Sequence, residues 1–389
     1  MSAKIVTCIA PVNIAVIKYW GKRDEDLILP LNDSLSLTLS LEHMCSTTTI
    51  MASPNFIENK LWLNGKEEST ENKRFQKCLE AIRKEAVKNT GTQDYLSYKI
   101  HVCSENNFPT AAGLASSAAG YACLVYTLSK LYGVTGNISK IARQGSGSAC
   151  RSIYGGFVQW HSGCDPLGED SLAVQVAPET HWPEMKVLIL VVSDNKKKVS
   201  STSGMSTSVV TSELLKYRVT ECVPKRLIAI KEAIKNKNFA EFAEITMKDS
   251  NQFHAVCLDT YPPCIYMNDI SHIIVDFVHK YNRMCGDIKV AYTFDAGPNA
   301  CLYLLEDQVQ DVLSLINVIF PSTIANDEFL KGIPITPKVA SKELIDKLSM
   351  DPLLQKDVLK YVIYTEGGPG PCEIVEHLLN NDGTPKMLI

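Results

Sequence analysis

The alternation of apolar and polar positions predicts strands before it predicts anything else. Residues 3–9 read as a strand that ends at Pro11, and Leu35–Leu41 and Ser46–Met51 alternate as strands do. Lys60–Leu63 followed by Asn64-Gly65 reads as a hairpin arm and its turn. Between 71 and 89 the period lengthens: Phe75, Cys78, Leu79, Ile82 and Ala86 share one helical face. Tyr95–Cys103 returns to strand. A helix that is apolar on most faces opens at Ser116 and ends near Gly133, a suitable residue for a left-handed helix cap. Ile138–Arg143 is a short helix, Phe157–Trp160 a strand, and Met185–Val192 a core strand.

The second half is richer in helices. Residues 193–208 read as a polar loop, either a surface loop or a lid rich in hydroxyls. Helices are expected after Pro224, over Phe239–Phe253 and over Ile265–Tyr281. Strands at Ile288–Phe294 and Ala300–Leu305 flank a turn at 295–299, a helix follows at Gln308–Ile316, residues 320–335 are irregular, and Lys360–Thr365 is the last strand. Strands and helices do not alternate regularly. That pattern favours an α+β fold in two lobes, divided as 1–190 and 191–389, over a doubly wound sheet.

Composition narrows the class. The 389 residues are 45% hydrophobic and 21% charged, enough apolar material for a large core. A net charge of −4 gives no reason to expect nucleic acid as a partner. Thirteen dispersed cysteines without a CxxC spacing, and eight histidines without HExxH, argue against zinc and for a reducing compartment. The N-terminus reads as a strand, not a signal peptide, and no apolar run approaches the roughly 18 residues of a membrane span. The expectation is a cytosolic protein.

Candidate chemistry sits in four places. Asn106–Gly120 holds a small-residue loop, Gly113-Leu114-Ala115-Ser116-Ser117, that feeds a helix N-terminus. Unpaired N–H groups and the positive dipole end make such a start an anion site, although a tightly packed helix start would look the same. The loop expected at Asn13–Arg23, after the first strand, interleaves Lys18 and Lys22 with Tyr19 and Trp20, unusual for a solvated turn. Gly145–Gly156 is a second small-residue segment, in which Ser148 and Arg151 share a face and suit a carboxylate or phosphate. Asp295 lies where a strand meets a turn, and Arg74 lies in a helix's first turn, where a cation is unfavourable unless an anion is near.

Together these segments resemble one family. Pro109-x-x-x-Gly113-Leu-x-Ser-Ser-Ala-Ala is similar to the phosphate loop of the GHMP kinase superfamily, with Ala115 in place of the usual second Gly. Pro11-Val-Asn-Ile-Ala, Lys18-Tyr-Trp-Gly-Lys22, Ser146–Arg151, Asp249–His254 and Tyr292–Asn299 narrow the resemblance to the mevalonate diphosphate decarboxylase family of animals and fungi. The matches run in family order from residue 10 to 300.

The resemblance implies a ribosomal-protein-S5-like N-terminal lobe, a ferredoxin-like C-terminal lobe and a cleft between them. It implies ATP-dependent decarboxylation of mevalonate 5-diphosphate to isopentenyl diphosphate, with Mg2+ carried on ATP phosphates, by a homodimer. The catalytic set it implies is Asp295, Lys18 and Arg151. For the substrate it implies Asn13, Tyr19, Trp20, Gly21, Lys22, Arg74, Ser146, Gly147, Ser148, Ala149, Cys150 and Thr202; for ATP, Ser104 and Gly113, Leu114, Ala115, Ser116 and Ser117, with no dedicated metal ligand beyond Ser116. Asp33 departs from the serine that the resemblance leads one to expect: it either points away from the polyanion site or weakens binding there. Nothing is carried over for Lys196–Lys198. A kinase that stops after phosphorylation, and a non-catalytic nucleotide sensor, are the competing readings.

Overall fold

Three sheets organise the chain in the computed structural model, which describes residues 3–90, 94–108, 116–193 and 197–386. The first sheet has the order Cys372–Ile374, Lys4–Pro11, Cys45–Ser53, Lys99–Asn106, Lys60–Leu63 and Lys66–Glu68. Lys4–Pro11 and Cys45–Ser53 pair antiparallel from Lys4 opposite Ala52 to Pro11 opposite Cys45. Lys60–Leu63 runs parallel to Lys99–Asn106, and its hairpin turns on Asn64 and Gly65, both at positive φ as a two-residue turn of this kind requires. The helix Ser116–Tyr132 packs on Lys4–Pro11 and Cys45–Ser53 through Ala119, Ala122, Cys123 and their neighbours, and it ends at Gly133 with φ +69°.

The second sheet runs Ala173–Ala177, Phe157–Trp160, Ser34–Thr38, Asn13–Ile17, and the third Val290–Phe294, Ala300–Leu305, Met185–Val191, Tyr361–Glu366, Leu330–Gly332. One apolar core joins them: Phe157 of the second sheet and Tyr303 of the third both stack edge-on against Phe242, with ring centroids 6.0 and 5.6 Å away. Phe242 belongs to the helix Phe239–Asp259, which touches both Asn13–Ile17 and Val290–Phe294. The Tyr303 hydroxyl also donates to the Ile14 carbonyl at 3.2 Å. The α+β, two-lobed expectation is met. Met185–Val191 lies in the third sheet and Cys372–Ile374 returns to the first, so the chain does not divide between the sheets at one point.

Several local expectations are corrected. Asn13–Ile17 is a strand, not part of a loop; all five residues are buried, so no alternation marks it. Ser201–Thr211 is a helix inside the segment expected to be a polar loop, capped by the Ser200 hydroxyl, which accepts from Ser203 N–H. Its serines and threonines are weak helix formers, and burial of Met205 and Ser208 overrides them. The short strands Ala173–Ala177 and Cys372–Ile374 carry too few residues for a period, and Leu330–Gly332 lies within a stretch expected to be irregular. The third central helix begins at Asp269, four residues later than expected, because the Asn268 and Ser271 side chains form a reciprocal cap there.

Candidate active site

A cavity of about 320 Å³ opens between the strand ends, lined by Lys18, Arg151 and Asp295 together. Lys18 follows the last residue of the strand Asn13–Ile17, and Asp295 follows Phe294 at the end of its strand. Their side chains meet with Lys18 Nζ 2.5 Å from Asp295 Oδ1. Lys18 is buried and Asp295 is partly open to the cavity. The strand end before Asp295 is fixed from behind, where Phe294 N–H donates to Ser250 Oγ at 3.0 Å.

Arg151 comes from a 3-10 turn, Gly147–Ile153, whose three-residue period brings Ser148 and Arg151 to the same cavity wall. Its guanidinium is buried and braced: Nε donates to Asn13 Oδ1 at 3.2 Å and Ser36 Oγ at 3.0 Å, and one terminal nitrogen to Ser34 Oγ at 2.6 Å. Asn13 in turn donates to Ser148 O and Ser152 Oγ. Every partner is neutral, so the positive charge is left for a ligand.

Tyr19 packs edge-on against Trp160 at 4.7 Å. Its hydroxyl is buried without a hydrogen-bond partner, and burial pushes its ionisation far above the usual phenol range. Tyr19 lines the cavity, while its hydroxyl oxygen is itself buried. Trp20 also lines the cavity, but its indole N–H is spent on Ser208 Oγ at 2.9 Å, and its ring sits against Phe253 and Tyr266. Lys22 reaches the wall paired with Glu25 at 2.5 Å. Arg74 and Thr202 meet across the opening at 3.4 Å.

Fourteen predicted residues therefore share one wall: Asn13, Lys18, Tyr19, Trp20, Lys22, Arg74, Ser116, Ser117, Ser146, Gly147, Ser148, Arg151, Thr202 and Asp295. Gly21, Ala149 and Cys150 do not reach it. Gly21 has φ +87°, and an added Cβ would lie 2.7 Å from Leu31, so it serves the turn. Ala149 and Cys150 are packed in the core, and burial raises the Cys150 thiol to about 12. Gly113, Leu114 and Ala115 lie outside the described residues.

Lys197 was missed. It lines the cavity, donating to Ser201 Oγ at 2.7 Å and the Ala296 carbonyl at 3.2 Å, and burial draws its ammonium down against the attraction of Asp295. A run of three lysines in a polar segment reads as solvated, and nothing in the run marks the middle one as turned inward. With Lys197, five cationic side chains face the single carboxylate of Asp295 among the described lining residues. His254, close behind the pair, is kept neutral: burial and the nearby Lys18 charge push its imidazole down to about 3.

Asp33 points away from the cavity. Its Oδ1 accepts from Ser162 N–H and Oγ, both at 2.7 Å, and its Oδ2 from Gln159 at 2.8 Å and His161 at 3.1 Å. Burial raises its ionisation, but these hydrogen bonds together outweigh that and hold the carboxyl well below the usual range.

A second cavity, about 280 Å³, shares Ser116 and Ser117 with the first; its other polar lining is Thr48, Asn64, Glu68, Ser69, Asn72, Ser104, Asn106 and Tyr121, and the rest is Gly120 and apolar side chains. Ser117 Oγ lies 3.3 Å from Ser146 Oγ of the first cavity. The two cavities thus meet at a helix N-terminus, where anionic groups are stabilised.

A two-lobed α+β fold with paired pockets meeting at a helix start, one of them cationic, defines a GHMP-kinase-like protein. Residues 10–173 match the diphosphomevalonate decarboxylase-like N-terminal domain, and residues 187–374 the mevalonate 5-diphosphate decarboxylase C-terminal domain. The chain belongs to the mevalonate diphosphate decarboxylase family. It is 56% identical to a diphosphomevalonate decarboxylase of Danio rerio, over 98% of this chain and 97% of the relative. The fold is similar to a crystal structure of mevalonate 5-diphosphate decarboxylase, with a TM-score of 0.84 and 44% identity over 97% of this chain and 98% of that one. A further solved structure, MDDEF in complex with MVAPP, AMPPCP and magnesium, aligns with a TM-score of 0.75 at 31% identity, over 96% and 99% of the two chains.

Proposed function

We propose that this chain converts mevalonate 5-diphosphate, ATP-dependently, to isopentenyl diphosphate, ADP, phosphate and CO2, in the mevalonate route to isoprenoids and sterols. The observation that carries the mechanism is the Lys18–Asp295 pair at 2.5 Å in the same cavity as Arg151. A substrate with a diphosphate and a carboxylate suits a cavity with five cations. The nucleotide occupies the second cavity, its terminal phosphate directed to Ser116 and Ser117, where the pockets join. Ser116, at the junction of the pockets, would help hold Mg2+ carried on the ATP phosphates, and the ion would supply neutralisation of phosphate charge there.

Asp295 orients the substrate's tertiary 3-hydroxyl and takes its proton as the phosphoryl group arrives; Lys18 holds the carboxylate in place and balances its charge. Phosphate is a better leaving group than hydroxide. The C–O bond to phosphate then breaks and the carboxylate leaves as CO2, its C–C electron pair forming the double bond. Arg151, braced by Asn13, Ser34 and Ser36, fixes the carboxylate so that this bond lies correctly for elimination. Lys22, Arg74 and Lys197 take the diphosphate and the transferring phosphoryl charge.

The test is stoichiometry: ADP, phosphate and CO2 in equal amounts, and only with both substrates and Mg2+ present. ADP without CO2 would establish the kinase that stops at phosphorylation, and no turnover the nucleotide sensor. In the cell the protein works in the cytosol, as a homodimer of two-lobed chains whose lobes follow the proposed halves 1–190 and 191–389 apart from the returning strand Cys372–Ile374. No helix of the described residues is long and apolar enough to cross a membrane, and all thirteen cysteines are free, in keeping with a reducing compartment.

A further inference from the structure

The segment Asp249–His254 contributes Phe253 to the cavity wall, but its first residue faces the other way. Asp249 is fully buried, and both its oxygens are occupied. Oδ1 accepts from the Lys18 backbone N–H at 2.8 Å and from Arg218 at 2.8 Å; Oδ2 accepts from Arg218 at 2.8 Å and from Arg226 at 3.0 Å. Arg218 is also fully buried and comes from a π-helical turn, Arg218–Cys222. The nitrogen that reaches Asp249 Oδ1 also donates to the Lys18 carbonyl at 3.0 Å, and Asn32 donates to the same carbonyl at 3.0 Å.

Lys18 lies one residue beyond its strand, where its peptide groups lose sheet partners. The ion pair replaces them, holding the N–H and the C=O of a single residue. The next residue along the same helix, Ser250, holds Phe294 N–H beside Asp295. Two adjacent residues of the helix Phe239–Asp259 therefore fix the backbones behind both members of the Lys18–Asp295 pair.

A buried ion pair is a poor way to gain stability, since apolar residues of the same volume commonly do as well or better. We infer that Asp249 and Arg218 are positioning residues for the reaction: they hold the Lys18 backbone so that its ammonium sits on Asp295 and, through it, on the reacting hydroxyl. Neither touches the substrate cavity.

The inference rests on the catalytic assignment of Lys18, and the experiment separates the two. Asp249→Asn keeps the volume but sets a carboxamide among two guanidinium groups. Asp249→Leu with Arg218→Met removes the pair and leaves Arg226, which is partly exposed and also bonds Gln252 Oε1 at 2.6 Å, free to turn to solvent. The thermal midpoint, kcat and both KM values are measured for each. The single variant is expected to lose stability and about 10- to 100-fold in kcat, with KM for ATP within about threefold, because an ångström of misplacement has that kinetic effect. The double variant is expected to regain part of the thermal stability that the single variant loses, the Lys18 N–H being left without Asp249, and not to regain kcat. Wild-type kcat in either variant, or recovery of kcat together with the thermal midpoint, overturns the positioning role. Lys18→Met is run beside them: if it retains turnover, the assignment of Lys18 fails instead.

Discussion

Lys18 Nζ and Asp295 Oδ1 lie 2.5 Å apart although 277 residues separate them in the chain, with Lys18 buried and Asp295 facing the cavity. The carboxylate is thus directed by the ammonium and left accessible on its outer side. Asp295→Ala is expected to lower kcat by roughly 10²–10⁴-fold with KM for mevalonate 5-diphosphate little changed, since proton transfer and orientation act in the transition state. Steady-state kinetics decides it. A fall of less than tenfold would remove Asp295 from the chemistry.

Arg151→Gln tests the carboxylate clamp. Glutamine cannot reproduce the planar fork, and Asn13, Ser34 and Ser36 lose their shared donor. Substrate KM should rise and kcat fall together, by about 10- to 1000-fold in kcat/KM, if the proposed clamp both binds the ground state and orients the elimination. ATP affinity, measured by equilibrium binding, should stay near wild type. Loss of ATP affinity alone would refute the assignment.

The extent to which the sequence foretold this site follows from physics at particular residues. Lys18, Arg151 and Asp295 each stand beside small or aromatic residues at a strand or turn boundary, and such local chemistry survives in one dimension. Their convergence does not: it depends on the helix Phe239–Asp259 wedging between two sheets, a long-range packing event. Lys197 was illegible because its inward turn depends on the Ala296 carbonyl, 99 residues along the chain, as well as on the nearby Ser201. Asp33 was open for the same reason; its partners lie near residue 160. Long periodic elements such as Lys73–Thr90 were readable, whereas Asn13–Ile17, buried throughout, and Cys372–Ile374, held only by pairing with Lys4–Pro11, were not.

Asp33 carries a pH prediction. Its carboxyl ionises below the usual range in the folded chain, because its hydrogen bonds outweigh burial. A group depressed in this way stabilises the fold above its unfolded pKa, and the contribution is lost as pH falls toward its folded value. Asp33→Ser should therefore be less stable than wild type at pH 7 by about 1–2 kcal/mol, and the gap should close as pH drops below about 4. Urea midpoints at pH 7 and pH 3 measure it. An equal gap at both would mean that the ionised carboxylate is not what Ser162, Gln159 and His161 hold.

Gly147 supplies the space in which Tyr19 stands. A Cβ built at position 147 would lie 2.9 Å from Tyr19 Cε1 and 3.0 Å from Trp160 Cη2, closer than packed carbons tolerate. Trp160 is buried and fastened through its indole N–H to Ser171 Oγ at 3.1 Å, so the Tyr19 ring is the part that must yield. Tyr19 lines the cavity, so moving its ring changes the shape of the wall proposed to hold the substrate. Gly147→Ala should therefore raise KM for mevalonate 5-diphosphate by roughly tenfold, with overpacking lowering stability by about 1–3 kcal/mol. KM for ATP should hold, because Tyr19 and Gly147 line the first cavity and not the second. Substrate and nucleotide titrations on the purified variant separate these effects; a rise in the ATP KM alone would show that Tyr19 does not face mevalonate 5-diphosphate.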